Sequence, residues 1–212
     1  MNLLGKQAVN DLVTATTIGR TFSGMTMQLI NVPMYWQKSV HCALLAGQIA
    51  KSCGIDDSER FFIEGLLGDI GHLVLYQTVP QRAQSALVEA GYLGAALAEV
   101  ERGNIGCDFA EVGAELIRSW VMPMQIEQAV RYQLRPNEAG EFALHASILH
   151  LAGAVADHES LDPKRRQEGM PFDPHAISTT GFSPASLPDL LSEVRAKLHD
   201  TVTLIYPQAL AA

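Results

Sequence analysis

The chain has little cysteine, few aromatic residues, no surplus of positive charge and no long apolar run. Its three cysteines, Cys42, Cys53 and Cys107, are odd in number, far apart and in no CxxC or zinc-like spacing. That excludes a disulfide framework and predicts reduced, mostly buried thiols, since free cysteine behaves as a small hydrophobe. With 15 Lys and Arg against 23 Asp and Glu, the formal charge is −8. A chain of that sign repels phosphates and anionic surfaces, so neither nucleic acid nor a membrane is the expected partner. No apolar segment approaches the roughly 20 residues that span a bilayer, and the amino terminus lacks the basic-then-apolar order of a signal peptide. The expectation is a cytoplasmic protein.

What the sequence does have is apolar residues, 48% of 212, enough to bury a core. They recur at helical spacing almost throughout, and no segment alternates as a half-buried strand does. The fold class is therefore all-α: a compact multi-helix bundle with a carboxy-terminal helical tail. Helices are predicted over 6–28, then from Pro33 to Cys53, where Gly54 can take a left-handed cap. Another is predicted over 59–77, capped by Asp57 or Ser58 and weakened by Gly68 and Gly71. Shorter helices follow at 80–91 and 93–102. Asp108 and Glu111 have capping-box spacing for a helix reaching Trp120. Pro123 restarts the chain to about Leu134, and 141–157 is a further helix, apolar on one side. The charged stretch 159–173, with Pro163, Gly169 and Pro171, reads as a surface loop. A short helix at 174–179 and a last one at 187–205 form the tail. Residues 1–157 thus make one domain, and 158–212 a loop and tail packed on it, because the stripe Leu190, Leu191, Val194, Leu198, Val202 and Ile205 lacks the flanking charge pattern of a zipper.

Several short segments carry a resemblance. Trp36-Gln37-Lys38-Ser39-Val40 is similar to a Trp-x-His-Ser ligand helix. Gly65 to Leu75 is similar to a Gly-Leu-Leu-His-Asp-Ile-Gly-Lys-Leu segment. Glu101, then Gly106 to Ala114, is similar to Glu-x-x-x-x-Gly-x-Asp-His-x-x-x-Gly-Ala. Trp120 with Pro123, then Gln133-Leu134-Arg135-Pro136, is similar to Trp-x-x-Pro followed by His-His-x-Pro. In this order they resemble the HDOD domain, a branch of the HD superfamily of helical metal phosphohydrolases. The family's usual helices ahead of the Asn2-Leu3-Leu4-Gly5 segment have no counterpart in this sequence, which suits a fragment, a truncation or a short form that needs a partner. The stripe Leu12, Val13, Thr16 and Ile18 on the first helix would then be uncovered and favour a homo-oligomer.

Active HD enzymes hold a divalent metal with imidazoles and carboxylates, which polarise a bound water for attack on phosphorus. Carried over by resemblance, the ligand positions hold Lys38, Gly68, Asp69, Phe109, Gln133, Leu134 and Gly153. Only Asp69 is a ligand type, and one carboxylate does not hold a transition metal. No metal, no cofactor and no catalytic residue is expected. Lys38 has two readings. Its ammonium pairs with Asp69 in place of the metal's charge, or it points to solvent with its stem along the surface.

The histidines do not rebuild the site. His41 is three residues past the ligand position, so it is turned about 60° around the helix from it. His72 stands where the family has lysine, and His145, His150 and His158 lack the i, i+4 spacing of a helical metal pair. Trp36, Trp120, Phe61, Phe62 and Tyr76 read as core. The leading reading is a non-catalytic signalling or scaffolding domain that binds a protein partner. A divergent phosphohydrolase would need donors such as Asp69, His72 and Glu64 or Asp108 around one point. A small-ligand sensor would use Lys38 and Gln133 in the cleft.

Overall fold

The computed structural model describes residues 29–56, 60–161, 170 and 172–206. The helix expected over 6–28 and its apolar stripe lie outside the described residues, as do the Asp57 and Ser58 caps and most of the charged loop. Among the described residues there are helices and turns but no strand, and no helix is long and apolar enough to cross a membrane.

Local chemistry accounts for several helix starts. Asn31 accepts the Met34 N–H at 3.1 Å and Pro33 occupies the first turn of α1, Val32–Ser52. The helix stops at Cys53, and Gly54 follows with φ +71°. The 59–77 prediction becomes two helices, α2 at Phe61–Leu67 and α3 at Ile70–Thr78, parted at Gly68 and Asp69. The chain then forms α4, Pro80–Leu93, and α5, Leu97–Ile105. Helix α6, Phe109–Ser119, opens on the expected capping box: Asp108 Oδ1 accepts the Glu111 N–H at 2.9 Å, and Glu111 Oε2 accepts the Asp108 N–H at 3.1 Å. Helix α7, Met124–Tyr132, and α8, Ala143–Ser160, are joined by two 3-10 turns, Pro136–Glu138 and Gly140–Phe142. The tail carries α9, Pro174–Thr180, and α10, Leu187–Ile205.

Helix α1 is the axis, flanked by α2, α8 and α10, while α3 packs on α6 and α4 on α5. The main core contains Trp36, Leu45, Ile49, Phe61, Leu66, Leu67, Ile70, Ile117 and Leu149. Each such side chain contributes roughly 1.5–3 kcal/mol by leaving water. Leu190, Val194, Val202 and Ile205 of α10 enter the same core, and Tyr206 stacks on Trp36 at 5.8 Å between ring centres. By contrast, the α4 and α5 pair is held by a small cluster of Ala86, Ala90 and Val100. Of the cysteines, Cys42 is buried, whereas Cys53 and Cys107 are half-buried because each falls at a helix end rather than on an inner face.

Two helix crossings are too close for any side chain. A Cβ on Gly65 would stand 2.6 Å from the Ala43 Cα, and one on Gly71 would run into the Phe109 carbonyl. These glycines bring α2 against α1 and α3 against α6, which sets where Asp69, between them, must lie.

Candidate functional site

The break between α2 and α3 is stabilised from a distance. Gln133, buried at the end of α7, donates from Nε2 to the Gly68 carbonyl at 2.8 Å and to the Val130 carbonyl at 3.0 Å. A carbonyl that leaves the helical ladder needs such a partner. The same carboxamide fills the space over Gly68: a Cβ there would meet Gln133 Oε1 at 3.4 Å and Leu149 Cδ1 at 3.3 Å. Of the predicted positions, Gly68 and Gln133 are therefore in direct contact. Leu134 is partly buried against the cluster of Leu75, Tyr76 and Phe109.

Lys38 and Asp69 meet across the cleft between α1 and α3, with Lys38 Nζ 2.7 Å from Asp69 Oδ2. The ammonium has a second carboxylate, Asp157 Oδ1, at 2.6 Å. Burial opposes the charge on Lys38, but Asp69 and Asp157 outweigh it and hold its pKa above the usual lysine value. Burial likewise opposes ionisation of Asp69, and the Lys38 charge overcomes it, so the carboxyl sits below its ordinary value. Asp157 was not among the positions carried over by resemblance. Gly153, which was, faces open space, and the acid stands one helical turn further along α8. The i, i+4 relation on one helix face was the available signal.

His72 is not a surface histidine. It is largely buried, with Nδ1 4.0 Å from Asp69 Oδ1 and Nε2 3.3 Å from Glu101 Oε1. Neither Nε2 nor Oε1 is in an aligned hydrogen bond. Phe109 stacks on its ring at 4.1 Å and Tyr76 at 5.5 Å. Phe109 thus covers the imidazole. Glu101 is fully buried and accepts the Phe109 N–H at 3.0 Å, fastening the start of α6. Asp108 is committed to its cap and to Arg102.

Glu64 belongs elsewhere. Its Oε1 lies 2.5 Å from His145 Nδ1, whose ring stacks on Phe61 at 4.9 Å. Burial pushes the Glu64 carboxyl up, and the His145 contact offsets this only in part. His150 is held by Gln133 and Asp173. Burial also raises Cys42, which favours the protonated thiol over the thiolate.

A metal of the HD type does not fit these residues. The nearest acids, Asp69 and Asp157, are bridged by an ammonium, and the one nearby imidazole is 4.0 Å from Asp69 and turned toward Glu101. Among the described residues, no group of three His, Cys, Asp or Glu side chains is arranged to hold a metal ion.

The sequence profile of the HDOD domain matches residues 1–136. The chain belongs to the HDOD family. Its fold is shared with the crystal structure named "Putative phosphohydrolase" from Shewanella amazonensis SB2B, at 23% identity and TM-score 0.74, covering 97% of this chain and 74% of that one. A "Putative signal transduction protein" from Marinobacter aquaeolei VT8 matches at 20% identity and TM-score 0.73, over 98% of this chain and 46% of that one. The MmoQ response regulator from Methylococcus capsulatus str. Bath matches at 26% identity and TM-score 0.54, over 78% of this chain and 63% of that one. This HDOD chain therefore spans about half of the second relative and under two thirds of the third. Among curated proteins, none matches the sequence.

Proposed function

We propose that this HDOD chain is a non-catalytic domain of a signal pathway, acting by binding a protein partner. The observation that carries the reading is the Lys38 ammonium between Asp69 and Asp157, at 2.7 and 2.6 Å. A cation entering there must displace a lysine whose charge is already compensated, and would find oxygen donors without a converging imidazole. HD chemistry needs a metal-activated water, so the internal cation favours a scaffold over a hydrolase. Exposed Val88, Tyr92 and Leu93 on α4, and Val121 and Met124 at the turn into α7, supply apolar surface for a partner. The relatives named for signal transduction and response regulation support the same class.

A second reading is a divergent phosphohydrolase. It is favoured by His72 lying between Asp69 and Glu101, and by the name of the Shewanella relative. Titration of the purified chain with manganese, followed by phosphodiesterase and phosphatase assays, separates the two. The expected result is no saturable manganese binding and no turnover. One equivalent of bound metal, lost in Asp69→Ala together with activity, would overturn the scaffold reading.

A further inference from the structure

We propose that Gln133 and His150 form a hydrogen-bond relay through which the cleft at Gly68 governs the order of the first turn of α9, where the carboxy-terminal tail begins. The relay has three links. Gln133 Nε2 donates to the Gly68 carbonyl at 2.8 Å. The Gln133 carbonyl faces His150 Nδ1 at 2.9 Å. The Asp173 backbone N–H donates to His150 Nε2 at 3.0 Å. Asp173 is the cap of α9, its Oδ1 accepting the His175 N–H at 2.7 Å. The chain of bonds therefore runs from the break between α2 and α3, through the end of α7 and the middle of α8, to the first residue of the tail helices.

The chemistry of the ring assigns its tautomer. A carbonyl can only accept, so Nδ1 must carry the proton it offers to Gln133. A backbone N–H can only donate, so Nε2 must present its lone pair to Asp173. A neutral imidazole in this one tautomer satisfies both neighbours. Both ends of His150 are thus committed, and its position follows wherever the Gln133 backbone goes.

Gln133 is the sensitive element. Its carboxamide is buried and sits over Gly68, beside the Asp69 that pairs with Lys38. A ligand or partner group that enters this space displaces the carboxamide from the Gly68 carbonyl, and the backbone of Gln133 that this bond fastens, with the carbonyl facing His150, is released with it. The apolar contacts of α10 keep the tail attached, so the response is confined to the first turn of α9. This inference holds whether or not the cleft is catalytic, because it concerns only what the cleft displaces.

The test is hydrogen exchange on the intact chain, read at the amides of Asp173, His175, Ala176 and Ile177. His150→Asn keeps a donor near Nδ1 and removes the acceptor for Asp173, so these amides should exchange about five-fold faster, the loss of one hydrogen bond. Gln133→Met removes the cleft-side donor at similar volume. Gly68→Ala, whose methyl would meet Leu149 Cδ1 at 3.3 Å and the Gln133 carboxamide at 3.4 Å, is the second way to disturb that end. Each should speed the same tail amides in the wild-type background and add nothing in the His150→Asn background. Tail amides unchanged in both cleft variants would overturn the relay. Equal acceleration with and without His150 would also overturn it, since the effect would then travel by another route. Thermal melts identify any variant that does not fold, and the remaining cleft variant then decides.

Discussion

Asp69, at the start of α3, and Glu64, within α2, are near neighbours in sequence, yet their surroundings treat charge in opposite ways. Asp69 keeps a permanent cation beside it and stays ionised below its ordinary pKa. Glu64 is buried beside a histidine that can share a proton, one oxygen is left without a partner, and its pKa rises. The difference teaches that partner type and residual solvent, not residue type, decide what a carboxylate does in this bundle. The half-wet acid carries the site, and the dry acid fastens α2 to α8.

The strongest way to break that contrast is His145→Ala. It leaves Glu64 buried without its partner and should destabilise the fold by about 3 kcal/mol, read by urea unfolding. A loss no larger than for an exposed pair would mean that Glu64 is not a dry site. Lys38→Met comes next. It leaves Asp69 and Asp157 facing each other, but about a third of Lys38 is in water, so the loss should be roughly 1–2 kcal/mol.

The pH dependence sharpens the comparison, because the two acids contribute with opposite sign. The lowered Asp69 pKa adds stability above the unfolded aspartate value, about pH 4, and that stability is lost as pH falls through the folded value. The raised Glu64 pKa adds stability fully present below the unfolded glutamate value and lost as pH rises through the folded one. Asp69→Asn should flatten the acid side of the stability curve, and Glu64→Gln should remove a decline toward neutrality. Matching slopes in both variants would erase the distinction. Asp157→Asn should have the smallest effect, under about 0.5 kcal/mol, because Asp157 is 64% exposed.

The parts of this protein legible in its sequence are those governed by local rules. The Pro33 start, the Asp108 and Glu111 capping box and the Gly54 stop depend on residues within a turn of one another, and all are present. The single helix expected over 59–77 is instead two, because the acceptor that needs a partner, the Gly68 carbonyl, finds it on Gln133, far along the chain. The burial of His72 beside Glu101 is not legible along the chain, because Glu101 reaches it from another helix. Asp157 is not marked by the sequence because its partner, Lys38, comes from another helix far along the chain.

By itself, the order of residues determined an all-α chain and the stock of side chains on offer around Asp69, since periodicity, caps and residue identity are properties of neighbouring positions. Only the tertiary structure decided that Lys38 would be held by two acids, that Glu64 would lose its water, and that His150 would bridge the cleft and the tail. Those outcomes depend on distances between segments remote in sequence, and no spacing along the chain encodes them.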